Sequence, residues 1–433
     1  TAQTILPANT LSSGYDVANS LRFDKPSDSY LAKTFSSAGS TRKFTFSTWL
    51  KGHETSVHGS TYFFVGNING SSNIDAFGIT ATGIQISVNS ANSGDLNSTA
   101  LFKDMSAWYH IVIAVDTTQS RASNRIKVYM NGVQITAWDT ETYPSENYDF
   151  TGINSTEAHN VSYSDSEHNG YLCETVFIDG TQLDPTSFGE FDSDSGIWKP
   201  KSVSGLTFGQ NGFYLEYKQT GTSQNSSGLG ADTSGNDHHF SVNGLAAIDQ
   251  STDTCTNNFA TMNPLDDYYG DHTFAEGNLK VTTPSGNSAP VHSTIGLTAG
   301  RWYAEVKLTS LGSNQTMVGF SGSQAKSTGH HLGDLLYHYG YYNGNGKIYN
   351  NNDSGTAYGN SYSEGNIVGM YLDLEDNKIY FSVNGSLQNS GTGHTIAAVS
   401  STELGAYFFS AQHWDNSTAA TYEFNFGGTS TFT

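Results

Sequence analysis

A β-strand that runs straight into an Asn-Gly turn occurs twice in this chain, and the two copies align without a gap. Arg125-Ile126-Lys127-Val128-Tyr129-Met130-Asn131-Gly132 matches Lys378-Ile379-Tyr380-Phe381-Ser382-Val383-Asn384-Gly385 position for position. In each copy the apolar side chains fall at every second residue (Ile126, Val128, Met130; Ile379, Phe381, Val383), the period of a strand with one face on a core. Asn and Gly tolerate the positive φ of a tight hairpin. Each copy also follows an apolar run ending in Asp, residues 111–116 and 367–373. The chain therefore reads as two β-sandwiches of related design, whose function is to be sought on the loops they hold out.

At 433 residues the chain is too long for one ordinary sandwich and comfortable for two. Aromatic residues make up 13% and charged residues only 14%, a turn-rich all-β composition rather than a disordered one. The formal charge of −21 repels phosphate, which argues against nucleic acid or an anionic membrane as a direct partner. No run of about 18 apolar residues occurs, and the first residues lack a basic start before an apolar stretch, so neither a membrane span nor a signal peptide is expected. Cys173 and Cys255 are the only cysteines, too few for a disulfide scaffold. Spacing alone leaves two alternatives open for them, a mutual bridge or two free thiols.

Along the chain, alternation marks strands near residues 20–23, 43–50, 61–65, 76–80, 84–88, 108–116, 125–130 and 171–178. Asp184-Pro185-Thr186-Ser187-Phe188-Gly189 reads as a short helical turn with Asp184 as its N-cap. Residues 189–265 are Gly-rich and hold two strand-like pieces, at 213–217 and 239–242. The predicted organisation is a first domain at 1–190, a connector at 191–265 that adds strands to it, and a second domain at 266–433. Within the second, residues 330–362 are polar and aromatic with little strand period, the kind of insertion in which scaffolds carry recognition.

Residues 15–190 resemble the laminin-G-like, concanavalin A-like jelly-roll modules of tailed-bacteriophage virion proteins. The likeness rests on Asn19-Ser20-Leu21-Arg22-Phe23, Phe44-Thr45-Phe46-Ser47-Thr48-Trp49-Leu50-Lys51, Ala107-Trp108-Tyr109-His110-Ile111-Val112, Val128-Tyr129-Met130-Asn131-Gly132 and Phe177-Ile178-Asp179-Gly180. Ser251-Thr252-Asp253-Thr254-Cys255-Thr256-Asn257-Asn258-Phe259 continues it, departing where Cys255 replaces an expected Pro and where Cys173 replaces a small residue. Residues 278–428 resemble a SPRY-like module through Gly300-Arg301-Trp302-Tyr303-Ala304-Glu305-Val306, Val318-Gly319-Phe320, Ile379-Tyr380-Phe381-Ser382-Val383-Asn384-Gly385 and Phe424-Asn425-Phe426-Gly427. The two resemblances imply an all-β chain of two concanavalin A-like antiparallel β-sandwiches (jelly rolls) joined by an extended connector. They further imply a non-enzymatic virion protein, on a tail fibre, spike or head decoration. Its partners would be a host-surface glycan or receptor and other virion proteins. The alternative within the same resemblance is a structural capsid decoration or cement protein, and a third, less favoured class is a polysaccharide depolymerase, which would release sugar from host glycan.

Concanavalin A-like folds also host glycan hydrolases, whose Glu-x-Asp-x-x-Glu strand supplies nucleophile and acid on one face. The nearest match, Glu190-Phe191-Asp192-Ser193-Asp194-Ser195, ends in Ser and follows a helical turn, so it reads as a solvated acidic loop, and no catalytic residue is expected. Neither a Gly-x-Ser-x-Gly turn nor a phosphate loop occurs. Asp192-Ser193-Asp194-Ser195-Gly196 begins like a calcium loop, but Gly196 replaces a ligand and Val203 stands where a bidentate Glu is needed. No cofactor is therefore expected; calcium would have only Asp232, Asp237, Asp266, Asp267 and Asp271 as loose candidates. His238-His239 and His330-His331, with His338, read as surface hydrogen-bonding groups.

Sugars are held by aromatic faces and by Asn and Asp around their hydroxyls. Tyr337, Tyr339, Tyr341, Tyr342 and Asn343, with Asn351, Asp353 and Tyr358, place both ingredients in one insertion, and His413 and Trp414 offer a second loop. The alternative is that alternate tyrosines pack beneath the loop and the Asn residues only form turns. Tyr163, His168 and Asn169 are weaker candidates, and Trp49 and Trp108 read as core. With no heptads and no β-helix repeat, the homo-oligomer expected in a virion would have to assemble through sandwich surfaces.

Overall fold

The computed structural model describes residues 15–433 apart from 25–26, 53–60, 68–72, 81–82, 100–101, 103, 105, 164–167, 268, 287–288, 312–314, 326, 328, 352–353, 414–417, 430–431 and 433. Its regular elements among these residues are antiparallel strands and short 3₁₀ turns. One compact unit ends at Asn258 and the other begins at Phe259.

In the first unit, one sheet runs in the order Val133–Gln134, Ile126–Met130, Trp108–Asp116, Lys43–Lys51, Gly170–Asp179, Ser20–Phe23 and Gln250–Ser251, with Phe213–Leu215 also on Gly170–Asp179. The facing sheet runs Trp138–Thr142, Gly94–Ser98, Gly83–Val88, Ile74–Thr80, Thr61–Asn67, Ala158–Val161, Tyr30–Thr34 and Ser241–Asn243. Phe44, Phe46 and Leu50 alternate into the core between them, against Phe63, Phe64 and Phe77. The intervening Trp49 belongs to a separate cluster on the other side of the sheet. That outer side is itself covered, since Phe188, Val203, Phe208 and Tyr214 pack on Val112, Ala114, Val176 and Ile178.

A β-bulge makes this two-sided burial possible. The Gly170–Asp179 strand loses register with Lys43–Lys51 between Cys173 and Val176, where Glu174 takes φ +52°. Because side chains alternate with period two, the extra residue reverses the phase, so Leu172 and Phe177 both face the core. Glu174 is buried there, accepting the hydroxyls of Tyr15 (2.8 Å) and Tyr214 (2.5 Å), and burial pushes its carboxyl up.

The second unit pairs a sheet ordered Thr273–Ala275, Lys280–Thr282, Thr421–Asn425, Arg301–Ser310, Ile367–Asp373, Lys378–Val383, Ser386–Leu387 with one ordered Val291–His292, Phe408–His413, Thr316–Ser321, His338–Tyr342, Lys347–Tyr349, Thr356–Ala357. Val306, Val368, Phe381 and Phe424 from the first sheet meet Val318, Phe320, Tyr341 and Phe409 from the second. The repeated turns are two-residue hairpins in both units, with φ +49° and +79° at Asn131-Gly132 and +48° and +79° at Asn384-Gly385. The Asn side chain explains its recurrence. Asn131 Oδ1 accepts the His110 N–H at 2.8 Å and Asn384 Oδ1 accepts the Ile367 N–H at 2.9 Å, each closing the end of the neighbouring strand.

Three expectations change. Residues 259–265, assigned to the connector, lie in the second unit, because Ala260 and Met262 are buried in its core. Residues 330–362 are no insertion. They supply the strands His338–Tyr342, Lys347–Tyr349 and the exposed Thr356–Ala357, and the first two fill their inward positions with Tyr and Ile, mostly tyrosine rather than the aliphatics that make a strand obvious. Asp184 precedes a 3₁₀ turn, Pro185–Ser187, but makes no side-chain cap; its carbonyl accepts the Ser187 N–H instead.

Candidate functional site

A cleft of about 300 Å³ opens on the outer side of the first unit's covered sheet, lined by Trp49, Ala107, Trp108, Asn131, Phe191, Ile197, Trp198, Cys255 and Asn258 among others. Trp49 sits where the core alternation of its strand turns outward, and Trp108 opens the adjacent strand. Trp198 comes from a small hairpin, Gly189–Phe191 paired with Trp198–Pro200. The acidic loop of that hairpin is fixed by Asp192, which accepts the Ser195 N–H and hydroxyl and the Asp194 N–H and pairs with Lys199 at 3.2 Å. These bonds, the Ser195 backbone first, hold the Asp192 carboxyl down at about 2. The segment that resembled a broken calcium loop is therefore the clasp that presents Phe191, Ile197 and Trp198.

Two of the three indoles are organised around His110. Its ring stacks between Trp49 (4.7 Å between centroids) and Trp198 (6.0 Å). Trp198 Nε1–H donates to His110 Nδ1 at 2.9 Å, so that nitrogen is bare and the proton resides on Nε2, which donates to Ser47 Oγ at 2.8 Å. Burial holds this imidazole neutral, its pKa lowered to about 3. Trp108 Nε1–H donates to Asp253 Oδ1 at 3.0 Å, and Asp253 Oδ2 binds the fully buried Lys51 ammonium at 2.6 Å. Asn258 completes that group, accepting from Lys51 and donating to the Ser106 carbonyl. Burial pushes Lys51 below its ordinary pKa and the Asp253 carboxylate opposes the shift. Gly132 lies under the Trp198 ring, where a Cβ would come within 2.4 Å of it.

The indoles are largely buried, at 4%, 8% and 6% exposure for Trp49, Trp108 and Trp198, whereas Phe191 and Ile197 on the rim are 53% and 41% exposed. Phe191 meets Trp198 edge to face at 4.8 Å. The Asn131 Nδ2 donors have no partner among the described residues, since only Oδ1 is used by the fold. Chemically the cleft offers an exposed ring face, an aliphatic rim and an amide donor, a set suited to the C–H face and hydroxyls of a sugar.

The tyrosine stretch is placed otherwise. Tyr341 is fully buried, stacked on Phe381 and donating to the Asn360 carbonyl. Tyr339 and Tyr358 are buried too, their hydroxyls accepting the Ala397 and Phe381 N–H groups. Asn343 accepts the Thr316 N–H at 3.0 Å, and His413, fully buried, faces the Thr316 hydroxyl at 3.1 Å. As ligand contacts these five are corrected to core and strand-closing residues: tyrosine in a strand turns its ring inward and leaves its hydroxyl to a backbone group. Tyr342 is half-buried against Tyr349, Tyr337 is half-buried and Asn351 is exposed. Asp353 and Trp414 lie outside the described residues. His168 and Asn169 are buried, and Tyr163 packs on Val65, Ile74 and Ala76.

The calcium candidates are largely spoken for. Asp232 accepts the N–H groups of Tyr214, Ser234 and His238 and the Ser234 hydroxyl. Asp266 binds His292 Nδ1 at 2.9 Å and Gln324, and Asp267 binds the ring and N–H of His272. Asp237 is exposed beside His239, and Asp271 is exposed at φ +51°. Among the described residues no three His, Cys, Asp or Glu side chains converge as a metal requires. His338, expected on the surface, is fully buried between the Ser323 and His331 carbonyls, and burial lowers its pKa to about 4. The cysteines are free thiols, with Sγ atoms 3.7 Å apart.

Residues 24–181 match the family model of the concanavalin A-like lectin/glucanase superfamily, laminin-G type, and residues 301–429 match that of the SPRY domain. The chain thus carries a laminin-G-like, concanavalin A-like domain followed by a SPRY domain, both all-β sandwiches. It is 28% identical over 126 residues to the dual specificity protein kinase splA of Dictyostelium discoideum, a stretch covering 27% of this chain and 5% of that protein. The crystal structure of a human SPRY domain is 20% identical, over 35% of this chain and 92% of that one, with a TM-score of 0.28. The SPRY domain of human HERC1 is 16% identical, over 34% and 87%, with a TM-score of 0.27. Lectin-like and SPRY sandwiches of these kinds point to binding of ligands or other proteins.

Proposed function

We propose that this chain is a non-enzymatic surface protein of a tailed-bacteriophage virion, on a tail fibre, spike or head decoration, that attaches to a host-surface glycan through its lectin-like first domain. The virion assignment rests on the resemblance of residues 15–190 to laminin-G-like modules of phage virion proteins, followed in order by a SPRY-like module with no catalytic set. The observation that carries the binding assignment is the cleft, in which Phe191 and the free Asn131 amide donors stand beside three indoles. No cofactor enters this reading, and other virion proteins are its second class of partner. Glycan-array binding by the full chain tests it. Phe191→Ala, a change on an exposed rim, should weaken binding about tenfold, the equivalent of about 1.4 kcal/mol. Tyr342→Ala, in the second domain, should leave it within about twofold. Failure to bind any host polysaccharide would sink the adhesion reading.

The structural reading, a decoration or cement protein held by its SPRY domain, has one observation in its favour. Tyr303 and Tyr371, 4.4 Å apart, lie half-buried on the outer face of the Arg301–Ser310 and Ile367–Asp373 strands, with Glu305 and Lys307 beside them. A neighbouring subunit would cover such a face. Labelled virions separate the two readings: density on the capsid lattice favours decoration, density at the tail tip favours attachment.

A further inference from the structure

The chain's only two cysteines, far apart in sequence, meet at one wall of the cleft. Cys173 is fully buried at the bulge of the Gly170–Asp179 strand, in the cluster formed by Val17, Trp49, Trp108, Tyr171 and Trp198. Cys255 is partly exposed and lines the cleft itself. Their sulfurs are 3.7 Å apart. A disulfide needs about 2.05 Å, so closure requires the sulfurs to approach by roughly 1.7 Å, within the swing of a cysteine side chain. The backbone on both sides is already fixed. The segment bearing Cys255 is held by Asp253 on Lys51 and Trp108, by the Thr254 hydroxyl on the Val17 carbonyl at 2.9 Å, and by Asn258 on the Ser106 carbonyl.

We propose that Cys173 and Cys255 are an oxidation site, which a small disulfide such as glutathione disulfide closes into an intramolecular bridge tying the wall of the cleft to the central strand. The cleft gives the reagent its entry, so Cys255 reacts first. Its thiolate attacks one sulfur of the reagent, forming a mixed disulfide and releasing one glutathione thiolate. The Cys173 thiolate then attacks the Cys255 sulfur and expels the second. One disulfide is reduced to two thiols, two protein thiols are oxidised to one disulfide, and the two thiol protons pass through solvent to the departing thiolates. Burial, and for Cys255 the adjoining Cys173 sulfur, push both thiols up, so thiolate is scarce and the exchange is slow. Slow formation does not weaken the product, because the bridge would close a long loop, 82 residues from one cysteine to the other.

The test uses the full chain, reduced and then incubated with glutathione disulfide, and its readouts do not depend on what the cleft binds. Expected are a mass lower by two hydrogens, loss of both alkylatable thiols after denaturation, and a melting temperature raised by roughly 5–15 °C that dithiothreitol reverses. Cys173→Ser should stop at the mixed disulfide on Cys255, and Cys255→Ser should take up no glutathione. Two alkylatable thiols after prolonged oxidation, or a stable mixed disulfide in the unaltered chain, would overturn the proposal. Glutathione found on Cys173 in Cys255→Ser would overturn the order of attack. The two single variants cover each other against a failure to fold.

Discussion

Asn131-Gly132 and Asn384-Gly385 have the same φ angles to within a degree, and the same side-chain bond to a neighbouring strand. The strands beside them share a further device: Lys43 pairs with Asp116 and Arg301 with Asp373, each across one register position of the sheet. What differs is the cover. A Cβ on Gly132 would enter the Trp198 ring, whereas one on Gly385 would meet nothing within 4 Å. In the first unit, the segment around Trp198 and the segment carrying Asp253 close over the outer side of the sheet; the matching face of the second unit keeps Tyr303, Glu305 and Lys307 half-buried. One hairpin is thereby plain scaffold, while the other has become a wall of a cleft. Identical local chemistry acquires a role only from what is laid over it.

The contrast between covered and open faces can be broken in three ways, the largest first. Asp253→Ala leaves the fully buried Lys51 ammonium without its carboxylate and should cost about 3–5 kcal/mol of stability in urea unfolding. The exposed pair Arg301–Asp373 should be worth at most about 1 kcal/mol in a double-mutant cycle. Equal effects would mean that water reaches Lys51 and that the first face is not covered.

Gly132→Ala combines a left-handed backbone with collision against Trp198, and should cost about 2–4 kcal/mol; Gly385→Ala suffers the backbone term alone, about 1–2 kcal/mol. Should the two match, the Trp198 ring does not rest on the turn.

The smallest step, counted per pH unit, is in pH dependence. Burial lowers the pKa of His110 to about 3 and of His159 to about 4 in the first unit. The unfolded chain takes up these protons below about pH 6.5 while the folded chain refuses them, so stability falls as pH drops from about 6.5 toward 3–4. Each group contributes a slope of up to about 1.4 kcal/mol per pH unit. His110→Gln should flatten the profile by one such contribution; an unchanged profile would place the ring in water rather than between Trp49 and Trp198.

Much of the scaffold could be read from residues. Phe44, Phe46 and Leu50 alternate into a core, the Asn-Gly turns are hairpins, and the two domain types are those their motifs resemble. The site was not legible in the same way. Tyr339 and Tyr341 suggested a binding surface because tyrosine serves a core and a surface equally well, and their period-two spacing, itself a strand signal, was outweighed by the polar residues around them. Trp49 and Trp108 alternate like core residues and are nearly buried, yet they line the cleft. Phe191 and Trp198 stood in a Gly-rich stretch with no period at all; two large aromatic residues flanking a short acidic loop were the available signal.

The sequence by itself determined the all-β class, the two sandwiches and the hairpin chemistry, because strand period and turn preference are properties of a few neighbouring residues. Only the tertiary structure assembled the cleft. Gly132, Trp198, His110 and Cys255 come from separate segments, and their contacts follow from two segments crossing the outer face of a sheet, which no local pattern encodes. The same holds for Cys173 and Cys255: spacing left their pairing open, and folding placed the two sulfurs 3.7 Å apart.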